Sequence, residues 1–426
     1  MERKIINDLH SWKLDPIKKP LLLYGVSGSG KTYTALEFGK KEYKNVIYFD
    51  CLDNLELSYV FDKNNTLEKL LRGLAAISLE TVFKGETLLI FDRVTEKIIK
   101  VIDTLFKGVS DYSIMMLTNS LTILNIAKTK KYDFLLKQLS LVTFPEYLKY
   151  VGKEQLVEFI YDSFHNGTTM PFHGIAEEAY RDYVLTGGYP EAIVTFQQTG
   201  DYSFLSIVHS RLLELLMTKF FEVENPIDVK RGMELYNQIP IQLLKDNKKF
   251  LYGMIRRGAR SKDYERILKF MEENNFLIKC RKTSELVYPL SKNKDDESFK
   301  LYMNDSGLLF KKMNISVNRL VTNDKLMAVL YENSVINTLC DGGYIPYYYQ
   351  SVGKALVDLV IQTRNGKIIP IEFVVGEYNT KSKSLGLSMN KYNLDYAVRF
   401  GNFNFRKRNG IQFLPYYAAF CLLELL

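Results

Sequence analysis

The run LLLYGVSGSGKT at positions 21–32 constrains this chain more than any other stretch. An apolar segment of strand length stops at Gly25, four varied positions follow, and Gly30, Lys31 and Thr32 open a segment with helical spacing. This is the G-x-x-x-x-G-K-[ST] pattern in the context it requires, a strand before and a helix after. Gly25, Gly28 and Gly30 lack a Cβ, so the loop can reach positive φ and bring backbone N–H groups against phosphate oxygens. The N-terminus of the next helix adds a partial positive charge. Gly25, Val26, Ser27, Gly28, Ser29, Gly30, Lys31 and Thr32 are therefore expected to cradle the phosphates of a nucleotide. Lys31 would reach the β- and γ-phosphates and the Thr32 hydroxyl would take a place on Mg²⁺, which makes ATP and Mg the expected cofactors.

Short apolar runs recur after the loop: NVIYFD (45–50), TLLIF (87–91) and SIMMLT (113–118), with helical segments between them. Strands of this length alternating with helices predict a mainly parallel sheet covered on both faces. Ligands of such sheets sit at the carboxyl ends of the strands, and Asp92 and Asn119 fall there. Asp92 reads as a magnesium ligand or as a helix N-cap, a position aspartate also favours. Asn119 reads as a contact to the γ-phosphate or the attacking water, or simply as the residue that ends its strand.

At 426 residues the chain exceeds one hydrophobic core, so several domains are expected. Lysine and arginine outnumber aspartate and glutamate 57 to 49, a mild excess over this length. Cys51, Cys280, Cys340 and Cys421 are far apart with no metal spacing and read as reduced thiols. The first residues carry no apolar signal core, and no uncharged run is long enough to span a bilayer. A cytoplasmic protein without a membrane partner is expected.

Behind the first domain, residues 151–225 have helical period, broken at Thr186-Gly187-Gly188-Tyr189-Pro190. This reads as an α-helical lid, from which Arg181 and Arg211 could approach phosphates. Residues 226–292 suggest a winged helix with a basic helix inside it. Lys245, Lys248, Lys249, Arg256, Arg257, Arg260, Lys262, Arg266 and Lys269 stand against Asp246, Asp263 and Glu265, a patch suited to DNA phosphates or to a solvated face. Strands return in 293–426, with LVDLVI (356–361) and KIIPIEF (367–373) placing Asp358 and Glu372 side by side near a helix bearing Glu332. Carboxylates so arranged bind a divalent metal in PD-(D/E)xK nucleases, where a lysine two residues after the second acid assists the water.

With GVSGSGKT, LLIFD, LVTFPEYL, YVLTGGYPEAI, IRRGARSKDYERIL, FKLYMNDSGLL and VDLVIQ…IIPIEF in hand, the chain resembles prokaryotic AAA-type ATPases with a C-terminal nuclease-like domain of unknown function. The resemblance covers nearly the whole length. It implies an α/β protein with a P-loop ATPase core over 1–150, the lid over 151–225, the winged helix over 226–292 and a restriction-endonuclease-like fold over 293–426. Two departures stand out. The family reads aspartate–glutamate where this chain has Asp92-Arg93, and a guanidinium accepts no proton. Glu96, three residues on, is the nearest substitute. In the nuclease-like part a helper acid is Leu356 and the lysine is Val374, with Lys381 and Lys383 the only cations close behind. The reading is an ATP-binding switch with slow or impaired hydrolysis. The alternative is a nucleic-acid-binding protein or a residual metal-dependent nuclease that uses Asp358 and Glu372.

Overall fold

The structure is a computed structural model and describes residues 1–62, 65–351, 355–376 and 383–426. It divides into two compact units, 1–142 and 143–426.

The first unit is built on five strands: β1 (Leu21–Tyr24), β2 (Asn45–Asp50), β3 (Thr87–Asp92), β4 (Ser113–Thr118) and β5 (Leu135–Gln138). All pair in parallel, in the order β2-β3-β4-β1-β5. Every residue of β3 and β4 is buried, which is why they read as unbroken apolar runs rather than alternating ones. Alternate side chains feed two cores. Leu22, Leu89, Phe91 and Met116 pack against the helices Leu67–Ser78, Glu96–Phe106 and Leu121–Thr129. Leu21, Leu23, Ile90 and Leu117 pack against Ile5–Leu14 and Lys31–Glu42 on the opposite face. The expected parallel sheet covered on both faces is therefore present. Because β1 is flanked by β4 and β5, the ends of β1 and β4 open side by side, with β3 one strand further out.

The second unit begins with a capping box: Thr143 and Glu146 close the first turn of Phe144–Tyr150, with Pro145 at its start. Helices follow at Gln155–Asn166, His173–Thr186, Pro190–Thr199, Tyr202–Met217 and Pro226–Leu243. The Gly187-Gly188 break lies between two of them, as the punctuation required. The rest is a mixed sheet of eight strands among the described residues: β6 (Leu277–Thr283), β7 (Lys294–Met303), β8 (Tyr347–Gln350), β9 (Leu356–Gln362), β10 (Ile368–Phe373), β11 (Ala397–Gly401), β12 (Arg406–Arg408) and β13 (Ile411–Pro415). Its order is β12-β13-β11-β10-β9-β8-β6-β7. A boundary at 292/293 thus falls inside this sheet, between the antiparallel partners β6 and β7.

The basic segment corrects the sequence reading. It is not one helix: short 3-10 turns at Tyr252–Met254 and Ser261–Asp263 precede the α-helix Glu265–Glu273. Gly258, at φ +79°, breaks the helical path, and the Phe250 N–H is taken by the Phe299 carbonyl instead of by a helical neighbour. Among the described residues no helix is long and apolar enough to cross a membrane.

Candidate functional site

The phosphate loop leaves β1 at Tyr24 and runs into the helix that starts at Lys31. Gly28 and Gly30 take positive φ, 80° and 90°, where a side chain would be strained. Gly25 is needed for a different reason. A Cβ there would lie 2.3 Å from the Leu139 carbonyl oxygen, so the residue after β5 passes too close for any side chain. Lys31 is nearly buried and donates from Nζ to the Gly25 and Val26 carbonyls at 3.0 and 2.9 Å. Arg3, also buried, donates to the Ser29 carbonyl at 3.1 Å and to the Ser140 carbonyl at 2.6 Å, tying the loop to the segment behind β5. Among the described residues the buried Ser29 hydroxyl makes no hydrogen bond, a spare polar group within the loop.

The strand ends complete the site. Thr32 Oγ1 donates to Asp92 Oδ2 at 2.5 Å, and the Tyr48 hydroxyl donates to the same oxygen at 3.2 Å. Burial foremost, with Asp92 adding to it, pushes the Tyr48 hydroxyl well above its ordinary pKa, so it stays a donor. Asp92 Oδ1 accepts the Arg93 N–H at 2.8 Å. Asn119 Nδ2 donates to Ser27 Oγ at 2.6 Å, which places the end of β4 against the loop. The fold therefore gathers Gly25–Thr32, Asp92 and Asn119 at one end of one sheet.

Arg93 turns away from this group. Its φ of +53° is left-handed, and its Nε lies 2.8 and 2.9 Å from the two oxygens of Asp50, with Asp53 also paired to the guanidinium. The Asp50 hydrogen bonds raise its pKa further, against a smaller effect of burial. Asp50 was not among the residues singled out from sequence. Its place is set by the register of β2 on β3, which pairs Asp50 with Asp92, and no sequence motif reports that register. Glu96 pairs with Lys130 at 2.9 Å, and that hydrogen bond holds its pKa below the usual carboxylate range.

In the second unit Asp358 and Glu372 do sit on neighbouring strands, β9 and β10, with the Phe373 N–H on Asp358 Oδ2 at 3.1 Å. Each acid already faces a protein cation: Arg399 Nη2 is 2.7 Å from Glu372, and Lys300 Nζ is 4.0 Å from Asp358 Oδ1 and 3.1 Å from its carbonyl. Glu332 is paired with Lys248 and accepts the Tyr302 hydroxyl at 2.6 Å. Lys248, one of the nine basic residues expected to face DNA, therefore points inward. Val374 is buried and spends its N–H on the Phe400 carbonyl. Lys381 lies outside the described residues, as does the side chain of Lys383. Arg211 is held by Glu191. Among the described residues no group of three or more His, Cys, Asp and Glu side chains is arranged to hold a metal ion.

Residues 177–319 match one domain of unknown function (DUF8612), and residues 329–419 match another (DUF4143). No curated protein matches the chain. Among solved structures, a Walker-type ATPase of Pyrococcus abyssi is similar at 13% identity, over 73% of this chain and 95% of that one, with a TM-score of 0.42. The RuvB Holliday junction branch migration motor of Thermotoga maritima is similar at 13% identity, over 65% and 89% of the two chains, with a TM-score of 0.31. A single-residue variant of the same motor gives 13%, 64%, 86% and 0.30.

Proposed function

We propose that the first unit binds ATP with Mg²⁺ and serves as a nucleotide-dependent switch whose hydrolysis is slow. The observation that carries this is the Thr32–Asp92 hydrogen bond beside a complete phosphate loop, with Arg93 drawn off to Asp50. The loop glycines and the N-terminus of Lys31–Glu42 receive the phosphates. Lys31 exchanges its two carbonyl partners for phosphate oxygens, a stronger charge-assisted pairing. Thr32 and Asp92 would hold the ion, which would supply positive charge against the phosphates. Asn119, fixed on Ser27, orients groups at the γ-phosphate end. The carboxylates nearest in strand or sequence to Asp92 are engaged with cations, Asp50 with Arg93 and Glu96 with Lys130, and Arg93 itself accepts no proton.

Titration of Mg·ATP into the purified chain tests the reading. Lys31→Ala should weaken binding about a hundredfold, roughly the value of one charge-assisted contact. Equal affinity in wild type and variant would end it.

The finer division of the second unit into lid, winged helix and nuclease-like fold belongs to this proposal and rests on the sequence motifs. The two acids on adjacent strands support its last part. Buried free thiols at Cys51, Cys280 and Cys421 suit a reducing, cytoplasmic setting. A second reading, nucleic-acid contact, draws on Arg256, Arg257, Arg260 and Lys262, which are exposed along one segment outside any α-helix. Duplex DNA binding that weakens steeply with salt would support it, and salt-independent binding would not.

A further inference from the structure

Glu332, Asp358 and Glu372 are the acids that a divalent-metal nuclease centre would use, and the charges around them test whether such an ion fits. Glu332 is 3% exposed at its side chain and is paired with Lys248. Asp358 faces Lys300, whose side chain is 4% exposed, and Glu372 faces Arg399, at 3%. Glu332 and Lys248 thus form a side-chain ion pair within the fold. Counted as ionised, the three carboxylates and three cations cancel, so an added divalent ion would leave at least a double positive charge unbalanced among largely desolvated groups. Hard cations such as Mg²⁺ need carboxylate oxygens that are free to turn toward them. Here Glu332 also accepts Tyr302, and Asp358 Oδ2 also accepts the Phe373 N–H.

We propose that Lys248, Lys300 and Arg399 occupy the electrostatic place of a divalent metal, so that this centre is a metal-free ion cluster that does not cut phosphodiesters. The three cations come from separate parts of the chain: the basic segment, β7 and β11. Lys248 makes the cluster a fastening. Together with the Phe250 N–H on the Phe299 carbonyl, it ties the stretch after Pro226–Leu243 to the helix Asp324–Asp341 and to the sheet.

The experiment counts bound Mn²⁺ by its electron paramagnetic resonance signal, on the full chain without nucleotide. Wild type and Asp358→Asn should bind the same amount, because any Mn²⁺ held at Asp92 is common to both. Lys300→Met uncovers a net negative charge and should gain about one ion per chain, which Lys300→Met with Asp358→Asn should lose. If circular dichroism shows Lys300→Met unfolded, Lys248→Met is read in the same way, and the wild-type comparison decides in every case. A wild-type ion lost in Asp358→Asn would overturn the proposal, and so would a folded Lys300→Met that gains none.

Discussion

The Arg93 guanidinium grips Asp50, with Nε 2.8 Å from one carboxylate oxygen and 2.9 Å from the other. The contact exists because β2 and β3 end in register, Asp50 beside Asp92, so the residue that leaves β3 meets the acid that ends β2. Arg93 is thus more than a missing glutamate. It is the counter-ion for Asp50 and for the exposed Asp53, and the left-handed φ that brings it there is uncommon for a residue with a Cβ.

Replacing Arg93 with glutamate should therefore not simply restore hydrolysis. Arg93→Glu sets a third carboxylate beside Asp50 and Asp53. The lost ion pairs and the new repulsion, partly screened by solvent, should cost about 1–2 kcal/mol. Phosphate release should stay near the wild-type rate. Adding Asp50→Asn and Asp53→Asn should recover the stability. Urea midpoints follow the first effect and a phosphate-release assay the second. An Arg93→Glu protein as stable as wild type would show that the clamp carries no energy.

Glu96 and Asp92 should separate cleanly in the same assays. Glu96 is turned to Lys130, just past the helix Leu121–Thr129, so Glu96→Gln should leave nucleotide affinity and turnover within about twofold. Asp92→Asn removes the charge that the proposed ion site needs and should weaken Mg²⁺-dependent binding by at least about tenfold. A large loss of turnover in Glu96→Gln would return that residue to the active centre.

Gly25 gives a steric test of the loop. An added methyl would meet the Leu139 carbonyl at 2.3 Å, and a backbone atom next to a strand cannot swing aside as a side chain can. Gly25→Ala should cost roughly 1–3 kcal/mol and weaken nucleotide binding with it. Calorimetric unfolding alongside an ATP titration reads both. An unchanged melting temperature would mean that the loop and the segment after β5 move apart more easily than their contact implies.

How legible these features were from sequence depended on whether neighbours in space were also neighbours in the chain. The strand–glycine loop–helix run at 21–42 and the buried strands β3 and β4 were legible because local pattern and environment agree in them. Strand β5 was not, since Leu135–Gln138 is short, only partly buried and carries Lys137 and Gln138. Asp92 and Asn119 stood out as polar residues closing apolar runs, and the fold brings both to the loop. Asp50 needed the strand register. Lys300 and Lys248 needed the tertiary fold, because 58 and 84 residues separate them from Asp358 and Glu332. The basic segment failed for a physical reason. Its charge was read as a patch for DNA phosphates or a solvated face, but Lys248 pairs inward and glycine geometry breaks the basic helix.

The TGGYP and NDSG motifs, which carry no chemistry in the proposed site, meet around buried titratable groups that predict a pH response. Asp305 is buried, accepts the Gly188 and Leu308 N–H groups at 2.8 Å each, and is pushed up to about 6 by burial. On the Thr186 side of the same turn, His209 Nε2 donates to the Thr186 carbonyl at 2.9 Å, and burial pushes its pKa down to about 4. The signs oppose. Asp305 binds its proton more tightly folded than unfolded, so its contribution is complete below the ordinary carboxylate range and is lost as pH rises through about 6. His209 binds its proton less tightly folded, so its contribution is complete above about 6.5 and is lost as pH falls toward 4. Each is worth on the order of 2–3 kcal/mol across that window, and in wild type the two partly cancel. Asp305→Asn should leave a protein that gains stability from about pH 4 to 6.5 more steeply than wild type. His209→Gln, which keeps a donor for Thr186, should tilt the profile the other way. Urea midpoints across the window measure both slopes. Two variants with profiles parallel to wild type would place the titrating groups elsewhere.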